Sequence, residues 1–331
     1  MISAPTLNST GRVKEFYEKY KSIIIFVLKF IIAGGLLAFI ISRISLSEII
    51  TAIQSANLTL IGVAFLLVAM NLFLQFLKWK LVCGKILDVT DNKKILISLF
   101  HGITAGSFTP ARVGEYFGRA MMFKDKPFIQ VTMATVVDKF FMLIVVAFVG
   151  AISSILFLYS YYNLTLLTAV GLIILAVSTL GFLLFLAMHP RLWENAIIEK
   201  LSISKKVASF IEKVSILKKM DLKFSLKLSL ITLLFFICII SQYAILAAAF
   251  SNHWNFLDFA WAGMLVMFAK SIVPPVAIAD LGVREGASVF FLSKFGEIQS
   301  VGFNSSIFIF LINILFPAII GLFLLFKKND A

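Results

Sequence analysis

Long apolar runs separated by short polar connections set the pattern of this chain. Six runs are each long enough to cross bilayer hydrocarbon: Ile23–Ile41, Leu58–Leu77, Phe128–Tyr159, Leu164–Ala187, Leu226–Phe250 and Ser300–Phe326. A helix needs about 20 apolar residues for that crossing. Two further apolar stretches are interrupted. Ile95–Phe123 breaks at Gly106-Ser107-Phe108-Thr109-Pro110, and Phe256–Phe295 breaks at Val273-Pro274-Pro275. Proline removes a backbone donor and turns its predecessor away from helix. Each stretch therefore predicts two short helical arms joined by non-helical backbone, with Pro110, Gly114, Pro274, Pro275 and Gly282 at the breaks. Such backbone survives at membrane depth only when buried in protein or facing a wet cavity.

The pattern predicts an all-α polytopic membrane protein with six full transmembrane helices and two re-entrant broken-helix hairpins. Composition agrees: of 331 residues, 60% are apolar and 14% charged, with mean hydropathy +1.01. Soluble, disordered, collagen-like and disulfide-stapled classes are excluded by those values. Cys83 and Cys238 offer neither a pairing framework nor metal-ligand spacing. The net charge of +13 is read as cytoplasmic loops and contact with anionic lipid, not as nucleic-acid binding.

Loop charges give the orientation. With both hairpins returning to the side they enter and both termini cytoplasmic, the inside segments hold 22 of the 30 basic residues. That bias satisfies the positive-inside rule. The expected organisation is a basic cytoplasmic segment over 1–22, one transmembrane domain over 23–326, a basic amphipathic cytoplasmic connection over 189–225, and a cytoplasmic tail over 327–331. The connection reads either as surface helices on anionic headgroups or as a solvated loop.

The two breaks invite comparison. FTPARVGEYFGRA (108–120) and VPPVAIADLGVREGA (273–287), aligned on Pro110 and Pro275, each carry an acid five residues on (Glu115, Asp280) and an arginine nine residues on (Arg119, Arg284). Half-repeats over about 23–159 and 164–326 would each read span, span, broken hairpin, span. Three crossings per half invert the second half, the plan of many transporters. Chance is the competing reading, since Pro, Gly and Arg are common.

Arg112, Glu115, Arg119, Asp138, Lys139, Asp280, Arg284 and Glu285 all lie within or beside apolar stretches. A charge at the bilayer centre costs about 2.5–3.5 kcal/mol by insertion scales. These groups are therefore expected to converge, either as a structural salt-bridge knot or as a polar chamber for a charged ligand. In the chamber reading Arg112, Arg119 and Arg284 hold a phosphate through planar forks of donors. Glu115, Asp280 and Glu285 then act as counter-charges, while Asp138 and Lys139 pair nearby or gate. Lys29 and Lys270 read as snorkelling residues, His101 as a packing histidine, and Trp79, Trp193 and Trp254 as interfacial belt aromatics.

No phosphate-binding glycine loop, zinc-protease string, Cys-x-x-Cys or Ser-His-Asp arrangement occurs. No catalytic residue, metal site or cofactor is predicted. The Pro-x-Arg-x-Gly-Glu string at 110–115, Asp138-Lys139 within the following span, and LGVREGA at 281–287 after a proline break resemble the transmembrane region of lysylphosphatidylglycerol synthases. Standalone members of that family are described as flippase-like. The resemblance covers roughly residues 20–326. It implies a multi-pass domain of the cytoplasmic (inner) cell membrane that moves aminoacylated phosphatidylglycerol or serves polyprenyl-phosphate-linked sugar pathways. The aminoacyl-transferase domain of bifunctional members is not in this sequence, so the expectation is a chain that does not make lysyl-lipid. Ala277-Ile278-Ala279-Asp280 stands where the family often has a glycine-rich stretch, which puts headgroup geometry there in question.

The leading expectation is a lipid transporter, not an enzyme, carrying an anionic phosphate-bearing lipid or lipid-linked substrate between leaflets. The alternatives are an intramembrane transferase acting on a polyprenyl-phosphate-linked sugar, with Glu115 or Asp280 as base, and a non-transporting scaffold for a separate lipid-modifying enzyme.

Overall fold

A computed structural model describes residues 46–107, 109, 111–188, 220–272 and 282–326. The first span, most of the basic connection, the second break with Pro274, Pro275 and Asp280, Pro110, and the tail lie outside the described residues. Every regular element described is helical.

In chain order these are α1 (Leu46–Gln54), α2 (Leu58–Val82), a π-helical turn (Cys83–Leu87), α3 (Asn92–Ser107), α4 (Gly114–Ala120), α5 (Phe128–Tyr161) and α6 (Leu166–Met188). They continue as α7 (Leu222–Ser251), α8 (Phe256–Ile272), α9 (Val283–Lys294), α10 (Gln299–Phe310), a second π-helical turn (Leu311–Leu315) and α11 (Phe316–Phe326). Four segments are long and apolar enough to cross a membrane: Leu58–Leu87, Phe128–Tyr161, Leu222–Ser251 and Gln299–Leu324. This is a polytopic membrane protein. Each of these segments overlaps a span expected from sequence, and α6 occupies the expected run Leu164–Ala187.

Local chemistry sets the helix ends. Asn57 Oδ1 accepts from the backbone N–H groups of Thr59 and Leu60 at 3.0 and 3.2 Å. Asp91 caps the start of α3 through Lys93 and Lys94, and Asp221 caps α7 through Phe224 at 2.7 Å. Such side chains satisfy amide donors that the first turn leaves open. The second π-turn ends two residues before Pro317. Proline supplies no N–H and crowds the carbonyl one turn back, and one wider turn absorbs that defect.

The predicted break in the first interrupted stretch is present, between Ser107 and Gly114. Ala111 and Arg112 take left-handed backbone, φ 53° and 55°, a conformation that costs L-residues about 1–2 kcal/mol each. Thr109 holds the turn: its hydroxyl donates to Ala105 O (2.9 Å) and accepts from Gly114 N–H (2.7 Å). α4 then runs back antiparallel along α3. Gly114 lies on the Ala105 carbonyl and Gly118 on that of His101, where a Cβ would collide. Small residues four apart let helices approach this closely.

Packing partners are reciprocal between two sets of elements. α2 and α7 pack on each other, and the arm α3 lies on α11 as the arm α8 lies on α5. The pairs α3–α4, α4–α5 and α2–α5 in the first set have counterparts α8–α9, α9–α10 and α7–α10 in the second. Around this frame, Tyr243, Leu246, Ala247, Phe259 and Val266 form the largest apolar core. A second core gathers Trp79, Val82, Ile86, Ile95, Leu99, Phe123, Val131 and Phe141 beneath α4.

Candidate functional site

α4 carries its charges on the face that meets α3 and α5. Glu115 and Arg119 are one turn apart, as their spacing predicts, and Arg119 Nη2 donates to Glu115 Oε1 at 2.7 Å. The same nitrogen reaches Asp138 Oδ2 on α5 at 3.0 Å. Lys139 Nζ lies 2.8 Å from Glu115 Oε2, and Arg112 Nε lies 3.7 Å from that oxygen. The structure thus joins Arg112, Glu115, Arg119, Asp138 and Lys139 into one cluster, all five singled out from sequence.

A sixth member was not. Lys78 Nζ on α2 sits 3.1 Å from Asp138 Oδ1, with its side chain 5% exposed. Sequence reading places Lys78 in a cytoplasmic loop and Trp79 in an interfacial belt. The structure corrects both, because α2 and its π-turn continue to Leu87 as one helical segment that buries Lys78, Trp79, Val82, Cys83, Ile86 and Leu87. Trp79 is wholly buried, and the Arg119 guanidinium stacks 4.1 Å from its ring. Its indole N–H donates to Ser98 Oγ at 3.3 Å, and Ser98 donates to the Arg119 carbonyl at 2.9 Å. Arg119 is thereby fixed from both its ends.

Gly102 and Gly106 of α3 make room for these side chains. A Cβ on Gly102 would stand 2.6 Å from Arg119 Cγ, and one on Gly106 would stand 3.2 Å from Glu115 Cβ. The strings Gly102-x-x-x-Gly106 and Gly114-x-x-x-Gly118 were the available signal for this packing, and sequence reading passed over them.

The cluster lines a cavity of about 540 Å³ between α2, α4, α5, α7 and α8. Its wall carries five basic side chains (Lys78, Arg112, Arg119, Lys139, Lys270) and two acidic ones (Glu115, Asp138). Lys270, read as a snorkelling residue, is part of that wall. Apolar residues complete it: Phe140, Met142, Leu143, Val146, Phe235 and Met267. Two guanidinium nitrogens of the buried Arg119, Nε and Nη1, have no hydrogen-bond partner among the described residues. A buried donor left open in this way is costly.

Arg284 and Glu285 are brought together elsewhere. Arg284 donates to Glu285 Oε1 through Nη2 at 2.6 Å and to Ser306 Oγ through Nε at 3.0 Å. It also lies 5.2 Å from the Phe310 ring. Glu285 Oε2 accepts from the Gly282 N–H at the start of α9, where Gly282 has φ 90°. Neither residue is among those lining the cavity. Within the described residues the two charge clusters stay separate, rather than sharing the single chamber expected from sequence. Asp280 falls outside them.

An amide cluster also escaped sequence reading. Asn71 on α2, Gln242 on α7 and Asn313 in the second π-turn are mutually hydrogen bonded at 3.0–3.1 Å. Gln75 donates to Asn71 Oδ1 at 2.9 Å. Single amides scattered through apolar runs carry no local signature.

The model of the lysylphosphatidylglycerol synthase transmembrane region matches residues 26–321. The chain belongs to that family. No curated protein matches it. Within the lysylphosphatidylglycerol synthase transmembrane-region family, then, this chain presents a membrane domain of lipid-related proteins with a cationic cavity built on α4 and α5. No group of acidic, His or Cys side chains suited to a metal ion occurs among the described residues.

Proposed function

We propose that this chain is a flippase-type transporter that carries a lipid with a phosphate-bearing headgroup between leaflets of the inner cell membrane. The observation that carries this reading is Arg119. It is buried, stacked on Trp79 and fixed by two carboxylates; it lines a cavity with five basic and two acidic side chains, and its Nε and Nη1 have no hydrogen-bond partner among the described residues. Guanidinium donors suit phosphate oxygens. The cavity's own excess of positive charge favours an anionic occupant.

The wall on α5 supports a lipid over a soluble anion. Val136, Phe140 and Leu143 line the cavity and are 40%, 41% and 52% exposed, so an apolar flank runs from the cavity to the outer surface. Acyl or prenyl tails would stay in the bilayer while the headgroup enters. The proposal assigns transport and not chemistry, because Glu115 and Asp138 are each already engaged by at least two cations. A carboxylate so held is poorly placed to take a proton from substrate.

The same proposal includes an inverted repeat with two re-entrant hairpins, cytoplasmic termini, and anionic lipid or a lipid-modifying enzyme as partner. Its support is the reciprocal packing of α2–α5 and α7–α11 and the length of the arms. α3 has 16 residues and α8 has 17, about 24–26 Å at 1.5 Å per residue, short of the ~30 Å hydrocarbon core.

Liposomes containing the full chain and a headgroup-labelled anionic phospholipid test the function. Transport is expected to fall at least about tenfold, the loss of one charge-assisted contact, for Arg119→Gln protein that elutes as a folded, monodisperse species. Undiminished transport in that variant would remove the proposal.

A further inference from the structure

Gln75 lies on the same face of α2 as Asn71 and Lys78, half-buried, and lines the cavity. Its amide is the last member of a hydrogen-bond chain whose direction is fixed at the far end. Gln242 Nε2 donates to the Ala64 carbonyl at 3.0 Å. A carbonyl only accepts, so Gln242 must present its nitrogen there and its oxygen to the cluster. That oxygen accepts from Asn71 Nδ2 at 3.1 Å and from Asn313 Nδ2 at 3.0 Å. Asn71 Nδ2 also donates to Asn313 Oδ1 at 3.0 Å, which uses both of its hydrogens. Asn71 Oδ1 is then left to accept from Gln75 Nε2, at 2.9 Å. Every amide orientation follows from one backbone carbonyl, and a flip at any member would set like groups against each other.

The chain ends at Gln75 Oε1, an acceptor with no partner among the described residues, in a wall whose other polar side chains are five cations, two already-engaged carboxylates and the hydroxyls of Tyr116 and Ser271. We infer that Gln75 is a specificity-determining residue: its fixed Oε1 accepts a hydrogen bond from a neutral donor on the headgroup, so the cavity selects phosphodiesters bearing a hydroxyl or comparable N–H donor beside the phosphate. This rests on the phosphate-holding role of Arg119 and adds a second point of recognition to it. A ligand without such a donor fills the cavity and strands Oε1 away from water. Sites built to pair a polar group discriminate in this way against analogues that lack the matching group.

Phosphatidylglycerol and phosphatidylmethanol separate the two roles. Both are singly charged phosphodiesters, and only the first carries headgroup hydroxyls. Native mass spectrometry of the full chain, presented with equal amounts of the two and with phosphatidylcholine as the neutral reference, reads the retained lipid. Wild type is expected to retain phosphatidylglycerol about tenfold over phosphatidylmethanol, the loss of one buried hydrogen bond. Gln75→Met, nearly isosteric and unable to pair, is expected to lower phosphatidylglycerol to the phosphatidylmethanol level and leave the latter unchanged. A wild-type ratio near one overturns the inference whether or not the variant folds, and so does a Gln75→Met protein that keeps the preference. Equal retention of both anionic lipids, lost in Arg119→Gln, removes the role of Gln75 and leaves the phosphate reading standing. Retention of neither above phosphatidylcholine removes both. Excess soluble glycerol phosphate that displaces the bound lipid with the same dependence on Gln75 would keep the donor reading and take the lipid out of the proposed function.

Discussion

Arg119 Nη2 is 3.0 Å from Asp138 Oδ2, and this bond ties the short helix α4 to the long helix α5. The same nitrogen serves Glu115, and Asp138 in turn serves Lys78, so Asp138 is the carboxylate that bridges α2 and α4 in that row of ion pairs. Breaking a buried pair by removing one partner costs about 3–5 kcal/mol, because the stranded charge stays buried.

Asp138→Asn is accordingly expected to destabilise the folded chain by about 3–5 kcal/mol. The double variant Lys78→Met with Asp138→Asn strands one cation fewer and is expected to recover part of that loss. Denaturant unfolding followed by tryptophan fluorescence measures both. Additive losses in the double variant would show that Lys78 and Asp138 do not interact.

The close approach of α3 and α4 gives a second expectation. A methyl at Gly114 meets the Ala105 carbonyl, which is backbone and cannot rotate away, whereas Gly62 on α2 has nothing within 4 Å of the added carbon. Gly114→Ala is expected to cost about 1–3 kcal/mol, as overpacking does. Gly62→Ala is expected to be neutral or stabilising by up to about 1 kcal/mol, the helix-propensity gain. The same unfolding measurement separates them, and equal effects would contradict the hairpin packing.

Asp221, just ahead of α7, carries a pH-dependent link. Its hydrogen bond from Lys85 Nζ, at 2.6 Å, and the Phe224 N–H hold its carboxyl below the usual carboxylate range. A folded value below the unfolded one stabilises above the unfolded value and loses that stabilisation as pH falls through the folded one. Melting temperature at pH 7 is expected to rank wild type above Asp221→Asn, which keeps the cap without the charge, and Asp221→Asn above Asp221→Ala. The gap between wild type and Asp221→Asn should close as the pH is lowered below about 4, the ordinary range of an aspartate. A gap that persists in acid would assign the stabilisation to something other than the charge.

Much of this site was legible because its signals are local. Gly106 and Pro110 bracket a break that needs no tertiary context, and Glu115 and Arg119 share a face by spacing alone. Asp138-Lys139 stands out as a charged pair inside an apolar run. Lys78 and Trp79 were not legible: at the end of an apolar run a lysine and a tryptophan suit a membrane interface equally well. Only the return of α4 and α5 over α2 decides that they are buried. The amide cluster was hidden for a related reason. Asn71 and Gln242 are 171 residues apart, and Gln242 and Asn313 are 71 apart, so nothing local connects them.

The matching offsets of Arg119 and Arg284 from a proline suggested one shared role, but their surroundings differ. Glu285 directly follows Arg284, takes its charge at 2.6 Å and also accepts the Gly282 N–H, while Ser306 takes Nε. Arg284 is thus engaged at the start of α9 and fixes that helix to α10. Arg119 instead lines the cavity, and its Nε and Nη1 have no hydrogen-bond partner among the described residues. Arg119→Gln and Arg284→Gln should therefore part company: the first lowers retention of anionic lipid at least about tenfold, the loss of a charge-assisted hydrogen bond. The second lowers stability by about 3–5 kcal/mol by stranding Glu285, with lipid retention unchanged in the folded fraction. Native mass spectrometry alongside denaturant unfolding reads both quantities on each variant. If folded Arg284→Gln protein lost anionic lipid as strongly as Arg119→Gln, the two arginines would belong to one chamber after all.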